Sequence, residues 1–148
     1  MTEFMLVARV VLGALLGYII GWEREYRGSA AGDRTFSLVA LGATAFTALG
    51  VENFPATAEK LIAGVVTGVG FLGAGLILKG NGGQVVGLTT AASLWAVAAL
   101  GVVAGAGEYV MALCLTALVV LILESHNLPV LRRAARAGNH DQRANLEE

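Results

Sequence analysis

The chain has 148 residues, of which 56% are hydrophobic and 14% charged, and its mean hydropathy is +0.71. A formal net charge of -1, with no basic run interleaved with aromatics, excludes a nucleic-acid-binding class. So apolar a composition, with 20 glycines against two prolines, excludes an ordinary soluble domain and fits a membrane protein whose helices approach one another closely.

The first apolar run, residues 4–22, is interrupted only by Arg9 and carries Gly13, Gly17 and Gly21 on one helical face. It lacks the basic n-region and A-x-A-like site of a signal peptide, so it is read as a retained span. The stretch GWEREYRGSAAGDRT follows at 21–35. A second span over 36–51, starting near Arg34, is broken by Glu52, Asn53 and Pro55. Residues 61–78 form a charge-free third span with Gly64, Gly68, Gly70, Gly73 and Gly75, ended by Lys79. GNGGQVVG reads as a flexible turn, GLTTAASLW opens a fourth span over 88–104, and a fifth covers 109–123 between Glu108 and Glu124. None of these runs alternates in the manner of a barrel strand, so all five are predicted to be helices. The expected fold is all-α: a polytopic membrane domain of five spans over residues 1–126 and a short arginine-rich tail over 127–148.

Orientation follows the placement of lysine and arginine. An outside N-terminus and a cytoplasmic C-terminus gather Arg24, Arg27, Arg34, Lys79, Arg132, Arg133, Arg136 and Arg143 on the inner side, leaving Lys60 outside and Arg9 near the outer end of the first span. The tail arginines would each add about 1 kcal/mol of attraction to anionic lipid.

In GWEREYRGSAAGDRT, Glu23 and Arg27 stand at i and i+4 with the acid first, the favourable order for an ion pair on a helix. Glu23, Glu25 and Asp33 are candidate oxygen ligands for a hard cation such as magnesium. Arg24, Arg27 and Arg34 balance them one for one, which favours a locally neutral intramembrane charged network of these six residues and Thr35. In TGVGFLGAGLILKG, Gly68, Gly70 and Gly73 match the dinucleotide pattern only formally. No acidic residue lies between Glu59 and Glu108 to take a ribose, and no phosphate-binding GK[ST] triplet follows. Gly68, Gly70, Phe71, Gly73 and Gly75 are instead expected to pack against neighbouring helices, with a carbonyl-lined cavity as the alternative.

Thr89, Thr90 and Ser93, following Gly87 and preceding Trp95, are expected to bond to their own helix backbone, the alternative being a polar path. Trp22 suits an interfacial anchor and Trp95 an anchor or a packing role. Cys114 has no partner for a disulfide or a metal, and His126 and His140 lack catalytic or ligand neighbours. No nucleophile or metal triad is arranged for chemistry, so the chain is expected to be neither an enzyme nor a cofactor carrier.

Taken together, GWEREYRGSAAGDRTFSLVALGA, GVGFLGAGLILK and GLTTAASLWAVAALG, in this order, resemble the membrane domain of the MgtC/SapB family. The resemblance runs from about Gly13 to Gly107. It places the family signature on Glu23, Arg24, Glu25, Arg27, Ala31, Gly32, Arg34 and Thr35, then on Gly70 to Gly75, then on Gly87 to Ala92 and Trp95. It implies a bacterial inner-membrane protein linked to growth in low magnesium and to survival inside macrophages. Some members of that family are proposed to bind and restrain the membrane part of the F-type ATP synthase. Asp33 stands where the family usually has leucine, and the ACT-like cytosolic domain of longer members is not expected here. The expected partners are membrane lipids and either a second copy or another membrane protein. The competing expectation is a small homo-oligomeric transporter for magnesium or another ion.

Overall fold

The computed structural model describes residues 3–79 and 84–125. The expected turn at 80–83, His126, His140 and the arginine-rich tail lie outside the described residues. The architecture is a bundle of five helices: α1 (Glu3–Tyr26), α2 (Asp33–Asn53), α3 (Ala58–Leu76), α4 (Leu88–Ala106) and α5 (Tyr109–Glu124). The first four are long and apolar enough to cross a membrane, and α5 is a shorter apolar helix. At 16 residues, α5 is about 24 Å long against a hydrocarbon core of about 30 Å.

Helix α1 has 24 residues and continues five beyond the last glycine of its stripe, through Trp22, Glu23, Arg24 and Glu25 to Tyr26. Glutamate and arginine are good helix formers, so the charged motif extends the helix instead of ending it. The chain stops the helix at Gly28, whose φ of 68° is left-handed and unfavourable to any side chain.

Helix α2 is the centre of the bundle, packed by α1, α3 and α4. It is clasped by two small-residue stripes. A Cβ on Gly17 would come within 2.7 Å of the Phe36 carbonyl oxygen, and one on Gly101 within 2.7 Å of the Ala40 carbonyl oxygen. Gly13, Gly21 and Gly105 meet α2 as tightly. With no hydrophobic drive between helices in lipid, this backbone approach is what gives van der Waals contact its strength. The core between these helices holds Ile20, Phe36, Ala40, Leu94, Val97 and Leu100, all nearly inaccessible.

Helix α3 behaves differently. Only 11% of its membrane-span window is buried, and a Cβ at Gly64, Gly68, Gly70 or Gly75 would meet nothing within 4 Å. Of the five glycines in the expected third span only Gly73 packs inside the chain, against Ala91 of α4. The expectation that these glycines receive neighbouring helices is therefore corrected for the intrachain bundle. After α3 the chain forms a two-residue antiparallel hairpin, β1 (Leu78–Lys79) with β2 (Val85–Val86), in the register Leu78 with Val86 and Lys79 with Val85. The segment read as a plain turn thus includes a short ladder, favoured by two β-branched valines.

Candidate functional site: two charged ends and an open helix face

Of the seven residues of the expected charged network, five separate into two groups. In the first, the Glu23 carboxylate accepts from Arg24, through both Nε and Nη2, and from Arg27 Nε. The Glu23 and Arg24 side chains are 10% and 8% exposed, so the pair is largely removed from water. Arg27 also reaches Glu124 Oε1 at 2.8 Å, tying the end of α1 to the end of α5. Glu124, and after it Glu23, hold the Arg27 guanidinium above its ordinary range, so this cation persists at every physiological pH.

The second group sits at the start of α2. The N-cap residue, Gly32, has no side chain to cap the helix, and Glu25 supplies the acceptor from α1: Asp33 N–H donates to its Oε2 at 3.1 Å. A Cβ on Gly32 would lie 2.1 Å from that oxygen, so the glycine makes room for the carboxylate. Asp33 accepts from the Arg34 backbone N–H at 2.6 Å through Oδ1, and both acids face the positive end of the helix dipole. Glu25, Asp33, Trp22 and Tyr26 line a small pocket of about 260 Å³. Arg34 and Thr35 are exposed, and no ion pair to the Arg34 side chain occurs among the described residues. Among the described residues, Arg34 is therefore not part of a neutralising network.

The three candidate cation ligands are divided by the same geometry. Glu23 is committed to two arginines, while Glu25 and Asp33 share the pocket. Among the described residues no group of three or more His, Cys, Asp or Glu side chains is placed to hold a metal ion.

In the fourth helix, Thr90 and Ser93 are buried and Ser93 Oγ donates to the Thr90 carbonyl at 2.9 Å, as expected of a hydroxyl satisfied by its own helix. Thr89 and Trp95 are exposed, and Gly87 takes a φ of 90° at the N-cap. A Cβ there would lie 2.0 Å from the Leu76 carbonyl oxygen, which requires glycine on both counts.

The opposite end of the bundle carries a cluster that reading the sequence did not assemble. Arg9, 8% exposed, donates from Nη1 to Glu52 Oε1 at 3.3 Å and to the Gly105 carbonyl at 3.0 Å, and from Nε to the Tyr109 hydroxyl at 3.2 Å. It thereby joins the start of α1 to the ends of α2 and α4 and the start of α5. The available signal was a lone charge inside an apolar run, which in a membrane demands a partner. The partners lie 43, 96 and 100 residues away in sequence, beyond the reach of any spacing rule.

On the open side of α3, Phe71 is 82% exposed and stands beside Gly70, with Gly75 one turn further on.

The profile of the MgtC family matches residues 10–129. The chain is 40% identical over 139 residues to Protein MgtC of Salmonella typhimurium, an alignment covering 94% of this chain and 58% of that protein. It is 39% identical over 127 residues to the "Putative magnesium transporter YhiD" of Escherichia coli K12, covering 80% of this chain and 59% of the relative. Protein SrpB of Synechococcus elongatus is 42% identical over 129 residues, with 78% and 71% covered. The chain thus spans less than two thirds of the length of the Salmonella and Escherichia relatives. No solved structure matches.

Proposed function

The chain belongs to the MgtC family, and from that membership we propose a non-enzymatic, multi-pass protein of the bacterial inner membrane, linked to magnesium limitation and to virulence or stress survival. It acts by packing against another membrane protein, such as the membrane part of the F-type ATP synthase. The observation that carries this reading is the contrast between glycine faces. Those of α1 and α4 are filled by α2, whereas Gly70 and Gly75 border an exposed Phe71 on a helix that is 11% buried. Small residues beside a projecting aromatic ring suit close helix–helix contact in lipid. A photo-crosslinker at Phe71 in native membranes tests it. An adduct with a membrane subunit of the ATP synthase or with another membrane protein is expected, and adducts with lipid or a second copy alone overturn the reading.

A second reading, a small homo-oligomeric transporter for magnesium or another ion, is favoured by the pocket that Glu25 and Asp33 line together with Trp22 and Tyr26. The name of the Escherichia relative agrees with it. Liposomes loaded with an ion-sensitive dye decide it: transport predicts flux that Glu25→Gln reduces, and identical flux in the two proteins removes the reading.

A further inference from the structure

Helices α2 and α3 part along one side of the bundle and leave an apolar groove of about 630 Å³ between them. Gly42 of α2 and Gly64 and Gly68 of α3 line it, and at none of the three would a Cβ meet an atom within 4 Å. Phe46 and Leu72 border it, each about half exposed. Among the described residues the sole charged group along it is Lys60, at the end where α3 begins. Gly70, Phe71 and Gly75 do not line this groove, so it is distinct from the surface invoked for a protein partner.

Two features identify an occupant. The first is length. From Lys60 to Leu72 the α3 wall rises about 18 Å, close to the ~15 Å that one leaflet contributes to the hydrocarbon core. A partner helix would cross both leaflets and would need a stripe of about 20 residues. The second is the order of chemistry along the groove: an apolar channel followed by one ammonium where the helix meets the interface. A phospholipid presents an acyl chain and an anionic phosphate in that same order, and the phosphate complements Lys60. The volume lies within the roughly 300–1,000 Å³ of ordinary small-molecule sites, and a void of this size facing lipid forfeits contact on both walls unless a chain fills it. We propose that the α2–α3 groove is a phospholipid site that holds one acyl chain against Gly42, Gly64 and Gly68 and the phosphate against Lys60.

The test is native mass spectrometry of the full chain, released from mild detergent, with added phosphatidylglycerol or with a diacylglycerol of the same chains that lacks the phosphate. One phosphatidylglycerol should be retained per chain, about fivefold more tightly than the diacylglycerol, as one lysine near a lipid surface allows. Lys60→Gln should erase that difference while leaving diacylglycerol binding unchanged. Gly68→Leu, whose side chain enters open space, should abolish both without lowering the melting temperature. Equal retention of phosphatidylglycerol by Gly68→Leu and the wild type overturns the site, and an unaltered preference in Lys60→Gln overturns the headgroup assignment. Loss of a crosslinked dimer in Gly68→Leu, with lipid binding intact, gives the groove to a second copy and also overturns the proposal. Lys60→Gln, at an exposed helix start, keeps the test decisive if Gly68→Leu does not fold.

Discussion

Arg9 of α1 and Glu52 of α2 meet at 3.3 Å across 43 residues of sequence, and the same guanidinium nitrogen donates to the Gly105 carbonyl. Glu52 keeps 22% of its side-chain surface while Arg9 keeps 9%, so removing the arginine strands an acid that water reaches only in part. Arg9→Ala should destabilise the bundle by ~3 kcal/mol, the low end for a broken buried pair. Arg9→Lys should recover less than half of the loss, because a point charge does not reproduce the fork that reaches Glu52, Gly105 and Tyr109 together. Thermal unfolding of the three proteins in one detergent checks both statements.

The glycine stripes separate by environment. Gly17→Ala places a methyl group 2.6 Å from the Ala40 Cβ and 2.7 Å from the Phe36 carbonyl oxygen, so α1 and α2 must move apart. A cost of about 1–3 kcal/mol is expected from overpacking of this kind. Gly64→Ala enters open space and should be neutral or stabilising by a few tenths, since alanine is the better helix former. Equal melting temperatures for the two variants would contradict the packing described above.

Within the charged motif the burden falls on Arg24. Its side chain is 8% exposed and its pairing with Glu23 is doubled, whereas Arg34 is exposed and only its backbone N–H is engaged near the motif. Arg24→Ala should lower stability by ~2 kcal/mol or more, softened because Arg27 still contacts Glu23. Arg34→Ala should change it by less than about 0.5 kcal/mol. Urea or SDS titrations of the two variants give the comparison directly.

Much of this was legible from the chain. Apolar runs bounded by charges located the helices, and the spacing of Gly13, Gly17 and Gly21 marked a packing face that the structure fills. The glycines of α3 carry the same local signal with the opposite outcome, because spacing records which residues share a face and not whether another helix occupies it. The motif Glu23 to Thr35 was found as a unit, yet its division into an ion-pair group and a helix cap depends on a turn at Gly28 that folds Glu25 back over Gly32. Long-range pairings such as Arg9 with Glu52 leave no periodic trace at all.

The cap itself can be weighed. Glu25 accepts the Asp33 N–H from a different helix, replacing the side chain that Gly32 lacks. Glu25→Ala should cost ~1 kcal/mol, as loss of an N-cap acceptor does, and Glu25→Gln should cost less because the amide oxygen still accepts. Amide hydrogen exchange at Asp33 should quicken in the order wild type, Glu25→Gln, Glu25→Ala, and protection unchanged in Glu25→Ala would remove the capping role.

Two threonines of α2, three positions apart, should respond in opposite ways to valine. Thr44 and Thr47 are both fully buried, but Thr44 Oγ1 donates to the Ala40 carbonyl at 2.7 Å while Thr47 Oγ1 has no hydrogen-bond partner among the described residues. A buried hydroxyl without a partner carries a desolvation cost of about 1–3 kcal/mol that an apolar group of the same shape avoids. Thr47→Val should therefore raise stability by ~1 kcal/mol. Thr44→Val removes a satisfied bond within its own helix, for which a loss of about 0.5–1.5 kcal/mol is expected. The neighbourhood of Thr47 is tight, since a Cβ on Gly105 would sit 2.7 Å from its own Cβ, so the near-identical shape of valine matters as much as its lack of a hydroxyl. Unfolding of both variants, measured side by side, should move in opposite directions from the wild type, and a loss in Thr47→Val as large as in Thr44→Val would mean that its hydroxyl is paired in the membrane.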